Sequence, residues 1–159
     1  MAYANHTPIP YITASGFSSL FVNVGGTGAT LTLVFLMLRS RSKTYKQLGK
    51  ISLPSAIFEI NEPVIFGGPI VLNPILAIPF VLMPCISIGL GALVQNSGLV
   101  SMGYIIDPSF TPFFAQGFLS ALDFRNVIFM CVLVAISVAV YYPFFKVYEK
   151  SIDEKEDQE

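Results

Sequence analysis

Three apolar runs set the rhythm of the chain: Phe17 to Leu38, Pro74 to Val94 and Asn126 to Phe145. At about 1.5 Å of rise per residue, each is long enough to cross a hydrocarbon core of roughly 30 Å, so the pattern predicts three transmembrane helices. Pro79 and Pro84 predict a kink in the second. Pro143, within YYPFFK, predicts the end of the third, with Tyr141 and Tyr142 at the membrane interface. The stretches between the runs are apolar but broken. Ile51 to Leu72 carries Glu59 and Glu62 and is interrupted at Pro54, Pro63 and Pro69. Proline removes a backbone donor, so this segment suits a re-entrant hairpin better than a span. Gln95 to Leu122 mixes Asn96, Gly98, Gly103, Asp107, Pro108, Pro112 and Gly117 with apolar pieces too short to cross, and predicts a second hairpin from the opposite face. The expected fold is an all-α integral membrane protein of about three transmembrane helices and two re-entrant hairpins.

Composition and charge place these elements. Of 159 residues, 53% are apolar and 12% charged, against roughly 25% charged in an ordinary soluble domain. Five cations crowd into Arg39 to Lys50, and none follows until Arg125. By the positive-inside rule this basic loop is expected in the cytoplasm, and the third helix then returns the chain to that side. Residues 1–16 form a short leading segment without the basic region and apolar core of a signal peptide, so no cleaved leader is expected. Residues 17–145 form the transmembrane domain. Residues 146–159 hold six acids and three lysines and read as a solvated cytoplasmic helix end fading into disorder.

The candidate chemistry is concentrated in INEPVIFGGPIVLNP, Ile60 to Pro74. A carboxylate inside an apolar, proline-broken segment is costly at membrane depth, and such residues mark solute or proton paths. Glu62 with Asn61 offers acceptors and donors that match the hydroxyls of a neutral polyol. In GGTGATL, Gly25 to Leu31, the small residues allow close helix packing or let the helix loosen near a ligand; packing is favoured. It is no phosphate-binding loop, because Ala29 rather than lysine follows Gly28. Cys85 and Cys131 lie far apart in apolar runs and read as small buried hydrophobes, not as a disulfide or metal site. The Asn5, His6, Thr7 triplet matches a glycosylation acceptor by a pattern that chance supplies often.

INEPVIFGGPIVLNP resembles the signature of the enzyme IIC membrane subunit of the phosphoenolpyruvate-dependent sugar phosphotransferase system, lactose, cellobiose and diacetylchitobiose branch. GGTGATLTL from Gly25, IPF at Ile78, TP at Thr111 and YYPFFKVYEK at the end add to the resemblance, which runs from about Phe17 to Lys150. It implies the carboxyl-terminal half of a larger transporter fold in a bacterial cell membrane. The function so implied is uptake of a disaccharide such as cellobiose, lactose or diacetylchitobiose, coupled to its phosphorylation. The phosphorylated side chain would belong to the cytoplasmic IIB subunit, served by IIA, so the chain is a component of a transferase system and needs no cofactor or metal of its own. Glu62, Asn61 and Asn73 are the implied substrate-binding residues. Further implied partners are membrane lipid, the amino-terminal half of the permease and a second copy in the full-length permease; nucleic acid is not among them.

The departures are as specific. Relatives are longer and carry an amino-terminal bundle used for dimerisation and a Gly-Ile-His-Gly stretch whose histidine joins the glutamate at the sugar. Neither is present here, and the lone histidine, His6, lies in NHTPIP. Glu59 stands where relatives more often have an uncharged polar residue, and Phe110 where tryptophan is usual. The alternative reading is a non-transporting membrane module, interacting or regulatory, derived from the transporter half.

Overall fold

The computed structural model describes residues 26–68, 70, 73–101, 111–120 and 122–156. Among these residues the regular secondary structure is entirely helical. A short 3-10 turn, Thr27–Ala29, leads into α1 (Thr30–Leu38). Then follow α2 (Lys43–Ile57), α3 (Glu62–Gly67), α4 (Pro74–Asn96), α5 (Phe113–Leu119) and α6 (Phe124–Glu156).

α1 is the hub. Leu31, Leu33, Val34 and Met37 are almost wholly buried, and so are Thr30 and Thr32. Their cluster draws Ala56 from α2, Val64 from α3, Leu76 and Met83 from α4, and Tyr141, Phe145 and Tyr148 from α6. Thr32 on α1 shares a buried hydrogen bond with Ser137 on α6, whose hydroxyl also donates to the Val134 carbonyl at 2.7 Å. Buried hydroxyls need such partners, and here the partner is what joins the two helices.

Among the described residues, two helices are long and apolar enough to cross a membrane: Pro74–Asn96 and the Phe124–Ser151 part of α6. Less than a third of the most apolar stretch of either is buried, 28% and 22%. Ile78, Val81 and Leu93 on α4, and Ile128, Val132 and Val147 on α6, point outward. A helix left apolar on its outer face suits hydrocarbon rather than water.

Several expectations change here. The first run is not one continuous helix through its described part, because Gly26, Gly28 and Ala29 all have left-handed backbone (φ 89°, 74° and 56°), and α1 starts only at Thr30. The remainder of that run lies outside the described residues. The basic loop is a loop only over residues 39–42, and from Lys43 it is the first part of α2. Pro143 does not end α6, which continues to Glu156. A proline removes one hydrogen bond, but a long helix held on both sides of it can continue. Cys85 and Cys131 are exposed and unpaired, since each falls on the outward face of an apolar helix. Tyr141 is fully buried within the protein, while Tyr142 beside it is about half exposed. Of the second expected hairpin, residues 102–110 lie outside the described residues. Its described part holds the end of α4, where Gly98 is left-handed, and the short α5. The Asn5–His6–Thr7 triplet also lies outside them.

The turn between α1 and α2 is tied to the end of α6. Glu149 Oε1 accepts from Ser40 Oγ at 2.5 Å and from the Arg41 backbone N–H at 2.7 Å. The hydroxyls of Tyr45 and Tyr148 are 2.6 Å apart. The basic segment and the end of α6 therefore lie at the same end of the molecule. At the opposite end, Asp123 accepts from Ser101 Oγ at 2.5 Å and from the Arg125 N–H at 2.9 Å, and Asn126 bonds the Ser101 backbone. These contacts clamp the exit of α4 to the entry of α6.

Candidate functional site

The end of α2 positions the signature residues. The Glu59 N–H bonds the Ala56 carbonyl at 3.1 Å and the Ile60 N–H the Ser55 carbonyl at 3.0 Å, with Glu59 at φ 63°. That pair of bonds is a Schellman stop, in which the left-handed residue is usually glycine. A half-buried glutamate occupies it here. The chain reverses, and the Asn61 carbonyl accepts from the N–H groups of Val64 and Ile65, both at 2.9 Å, to start α3. Pro63 falls where its missing N–H costs nothing.

Asn61 and Glu62 are neighbours in the chain but face different surroundings. Asn61 is buried, and its Oδ1 accepts from Thr30 Oγ1 at 2.6 Å. A Cβ added to Gly26 would lie 1.9 Å from the same oxygen, so the amide packs directly on the turn before α1. Glu62, at the first position of α3, is exposed. A carboxylate suits the first turn of a helix, where backbone N–H groups are unpaired.

The turn itself is held on three sides. Asn61 lies against Gly26; a Cβ on Gly28 would lie 2.4 Å from the Phe80 ring of α4; and the Gly28 carbonyl accepts from the Tyr141 hydroxyl of α6 at 2.5 Å. The glycines of GGTGATL thus serve a backbone break and close contacts at the same positions. Both the close packing and the interruption of the helix are met over Gly26–Ala29. Sequence reasoning did not single out Thr30, Phe80 or Tyr141 as parts of this arrangement. The threonine that follows the glycines is the one signal that pointed to it.

Asn73 is separate in role. It is the N-cap of α4, and its Oδ1 accepts from the Ile75 N–H at 2.9 Å. Its carbonyl oxygen is therefore used in starting the helix, and its amide nitrogen remains a possible donor. The arrangement places a solvent-facing carboxylate beside a buried amide, at a break between two helices. It can accept and donate hydrogen bonds to a neutral, hydroxyl-rich ligand. Among the described residues no group of three or more His, Cys, Asp or Glu could hold a metal ion.

Residues 1–84 match the protein family described as Phosphotransferase system, EIIC. The Lichenan permease IIC component of Bacillus subtilis is 39% identical across this whole chain, which covers 36% of that protein. The oligo-beta-mannoside-specific EIIC component of the same organism is 34% identical over 94% of this chain and 34% of its own length. For the lactose-specific EIICB component of Staphylococcus aureus the values are 36% identity, 92% and 26%. The crystal structure of the transporter ChbC, the IIC component from the N,N'-diacetylchitobiose-specific phosphotransferase system, superposes with a TM-score of 0.92 at 35% identity. The match covers 99% of this chain and 37% of that one. The chain thus spans a quarter to a third of the length of the curated relatives it matches.

Proposed function

Because the chain belongs to the Phosphotransferase system EIIC family of membrane permeases, we propose that it forms one wall of a disaccharide site in a permease of the lactose, cellobiose and diacetylchitobiose type. The observation that carries this reading is the helix break at Asn61 and Glu62, where Asn61 packs on the Gly26–Thr30 turn and Glu62 is exposed. Irregular backbone at membrane depth is tolerated where it lines a cavity, and broken helices are where carriers bind solutes.

In this reading Glu62 accepts hydrogen bonds from sugar hydroxyls, and Asn61 holds the Gly26–Thr30 turn in place while sharing the same wall. Asn73 contributes its amide nitrogen from the start of α4. The opposite wall comes from the part of the permease beyond this chain. Once the sugar faces the cytoplasm, one of its hydroxyls attacks the phosphorus carried by the IIB partner. The bond from phosphorus to the IIB side chain breaks as the new bond forms, its electron pair stays with that side chain, and the hydroxyl proton passes to water. Positioning and charge do most of this work, so a wall that fixes the sugar is a sufficient role. The relatives' names point to lichenan, oligo-beta-mannoside, lactose and N,N'-diacetylchitobiose sugars as the range of substrates.

Joint expression of this chain with the amino-terminal part of a full-length relative tests the proposal. Accumulation of a radiolabelled disaccharide as its phosphate, dependent on both parts, is expected. A correctly inserted pair that binds and accumulates none of the four sugar classes contradicts it.

A further inference from the structure

We infer that Phe66 is the stacking platform of the sugar site, its ring packing on the C–H face of a pyranose whose hydroxyls Glu62 binds. The short helix α3 divides its side chains between two faces. Val64 is wholly buried and Ile65 packs against the cluster around α1. Glu62 and Phe66, four residues apart and so neighbours on one helical face, are both exposed. Phe66 takes no part in that cluster and, at 81% exposure, is the most exposed large apolar side chain among the described residues.

The neighbour decides what the ring meets. A single aromatic side chain on a lipid-facing helix needs no explanation, but a carboxylate on the same face is costly in hydrocarbon, so this face of α3 does not meet lipid tails. A ligand made of hydroxyls alone satisfies Glu62 and leaves the ring in water, and an acyl chain does the reverse. A pyranose satisfies both, because its hydroxyls lie around the rim while its ring faces carry C–H groups that pack on an aromatic side chain. Residues four apart on a helix have Cβ atoms about 5–6 Å from each other, so one sugar unit reaches the carboxylate and the ring together.

This inference rests on the sugar-site reading of Glu62, and the experiment separates the two. The full chain, assembled with the amino-terminal part of a full-length relative and purified in detergent, is titrated with radiolabelled cellobiose, lactose and N,N'-diacetylchitobiose. For each sugar that binds, Phe66→Ala is expected to weaken binding by roughly ten-fold. Insertion and assembly are expected to be unchanged, because the ring lies outside the buried cluster. Phe66→Leu, apolar but not flat, is expected to recover little of the loss. Phe66→Trp is expected to keep binding. The chain has no tryptophan of its own, so the emission this variant adds reports on the position directly. It is expected to shift to the blue with a bound disaccharide and not with sorbitol, a polyol without a ring. Full affinity in Phe66→Ala alongside lost binding in Glu62→Gln would overturn the platform and leave the sugar site standing. Full affinity in both variants would remove the site as well. Rescue by leucine, or failure of the Phe66→Ala chain to assemble, would place the ring in a contact with protein and overturn the assignment.

Discussion

At the scale of the residue, the site depends on positions where an ordinary side chain does not fit. Gly28 has φ 74° and stands against the Phe80 ring, with its carbonyl held by Tyr141. A methyl group there meets both a disfavoured backbone and a ring 2.4 Å away. Gly28→Ala is therefore expected to destabilise the fold by about 2 kcal/mol or more, read as a lowered midpoint of thermal unfolding in detergent. An unchanged midpoint would mean that the turn relaxes freely. Glu59 is the reverse case. It occupies a left-handed stop that glycine takes without strain, so Glu59→Gly is expected to stabilise by about 1 kcal/mol. A loss of stability instead would show that the carboxylate makes contacts worth more than the strain.

The signature was legible at this scale because a carboxylate and an amide stand out in an apolar stretch. Its geometry was not. Nothing in the letters of Asn61 says that its side chain turns inward to Thr30 while Glu62 faces out, since that depends on where the Schellman stop leaves the chain. Asn73 shows the converse: an asparagine before proline is an ordinary helix start, and that is the use the structure makes of its Oδ1.

At the scale of the element, α4 and α6 were readable from uncharged length alone. The bounds of α4 were read to within two residues, but the end of α6 was read short, because Pro143 was taken as a stop where packing on both sides carries the helix through. The break before α1 was hidden by its composition. Small residues serve helix contacts and helix interruptions equally, and only the partners Asn61, Phe80 and Tyr141 decide between them. The clamp between α4 and α6 makes a pH-dependent prediction. The Ser101 hydroxyl and the Arg125 N–H hold the Asp123 carboxyl below the ordinary carboxylate range. A lowered folded-state pKa contributes stability that is present above the unfolded value of about 3.9 and is lost as pH falls through the folded one. Protection of residues 97–101 against hydrogen exchange, relative to the intrinsic rate at each pH, is thus expected to fall below about pH 4 in the native chain. The Asp123→Asn variant is expected to show a smaller change. Equal acid sensitivity in the two would assign the effect elsewhere.

At the scale of the whole molecule, the fold ties distant parts of the chain to the same end. Ser40, Arg41 and Tyr45 bond Glu149 and Tyr148, so the basic segment and the end of α6 share one side of any membrane the helices cross. Topology reporters placed within Arg39 to Lys50 and after Lys150 are expected to read alike, and both as cytoplasmic. Opposite readings would contradict the packing, and two external readings would contradict the charge argument. The outward apolar faces of α4 and α6 belong to the same picture. They suit contact with lipid or with another part of a permease as long as the relatives, of whose length this chain spans about a third.

The central claim is that Glu62 stands in the sugar site, and uptake by a Glu62→Gln variant tests it most directly. The assay is done in cells that supply the rest of the permease, with insertion of the variant verified in the membrane fraction. The substitution keeps the shape and removes the charge. Losing a hydrogen bond to a charged group costs about 1.5–3 kcal/mol, so accumulation of the phosphorylated disaccharide is expected to fall to background while insertion is unchanged. Full uptake by the inserted variant would remove Glu62 from the site and contradict the account.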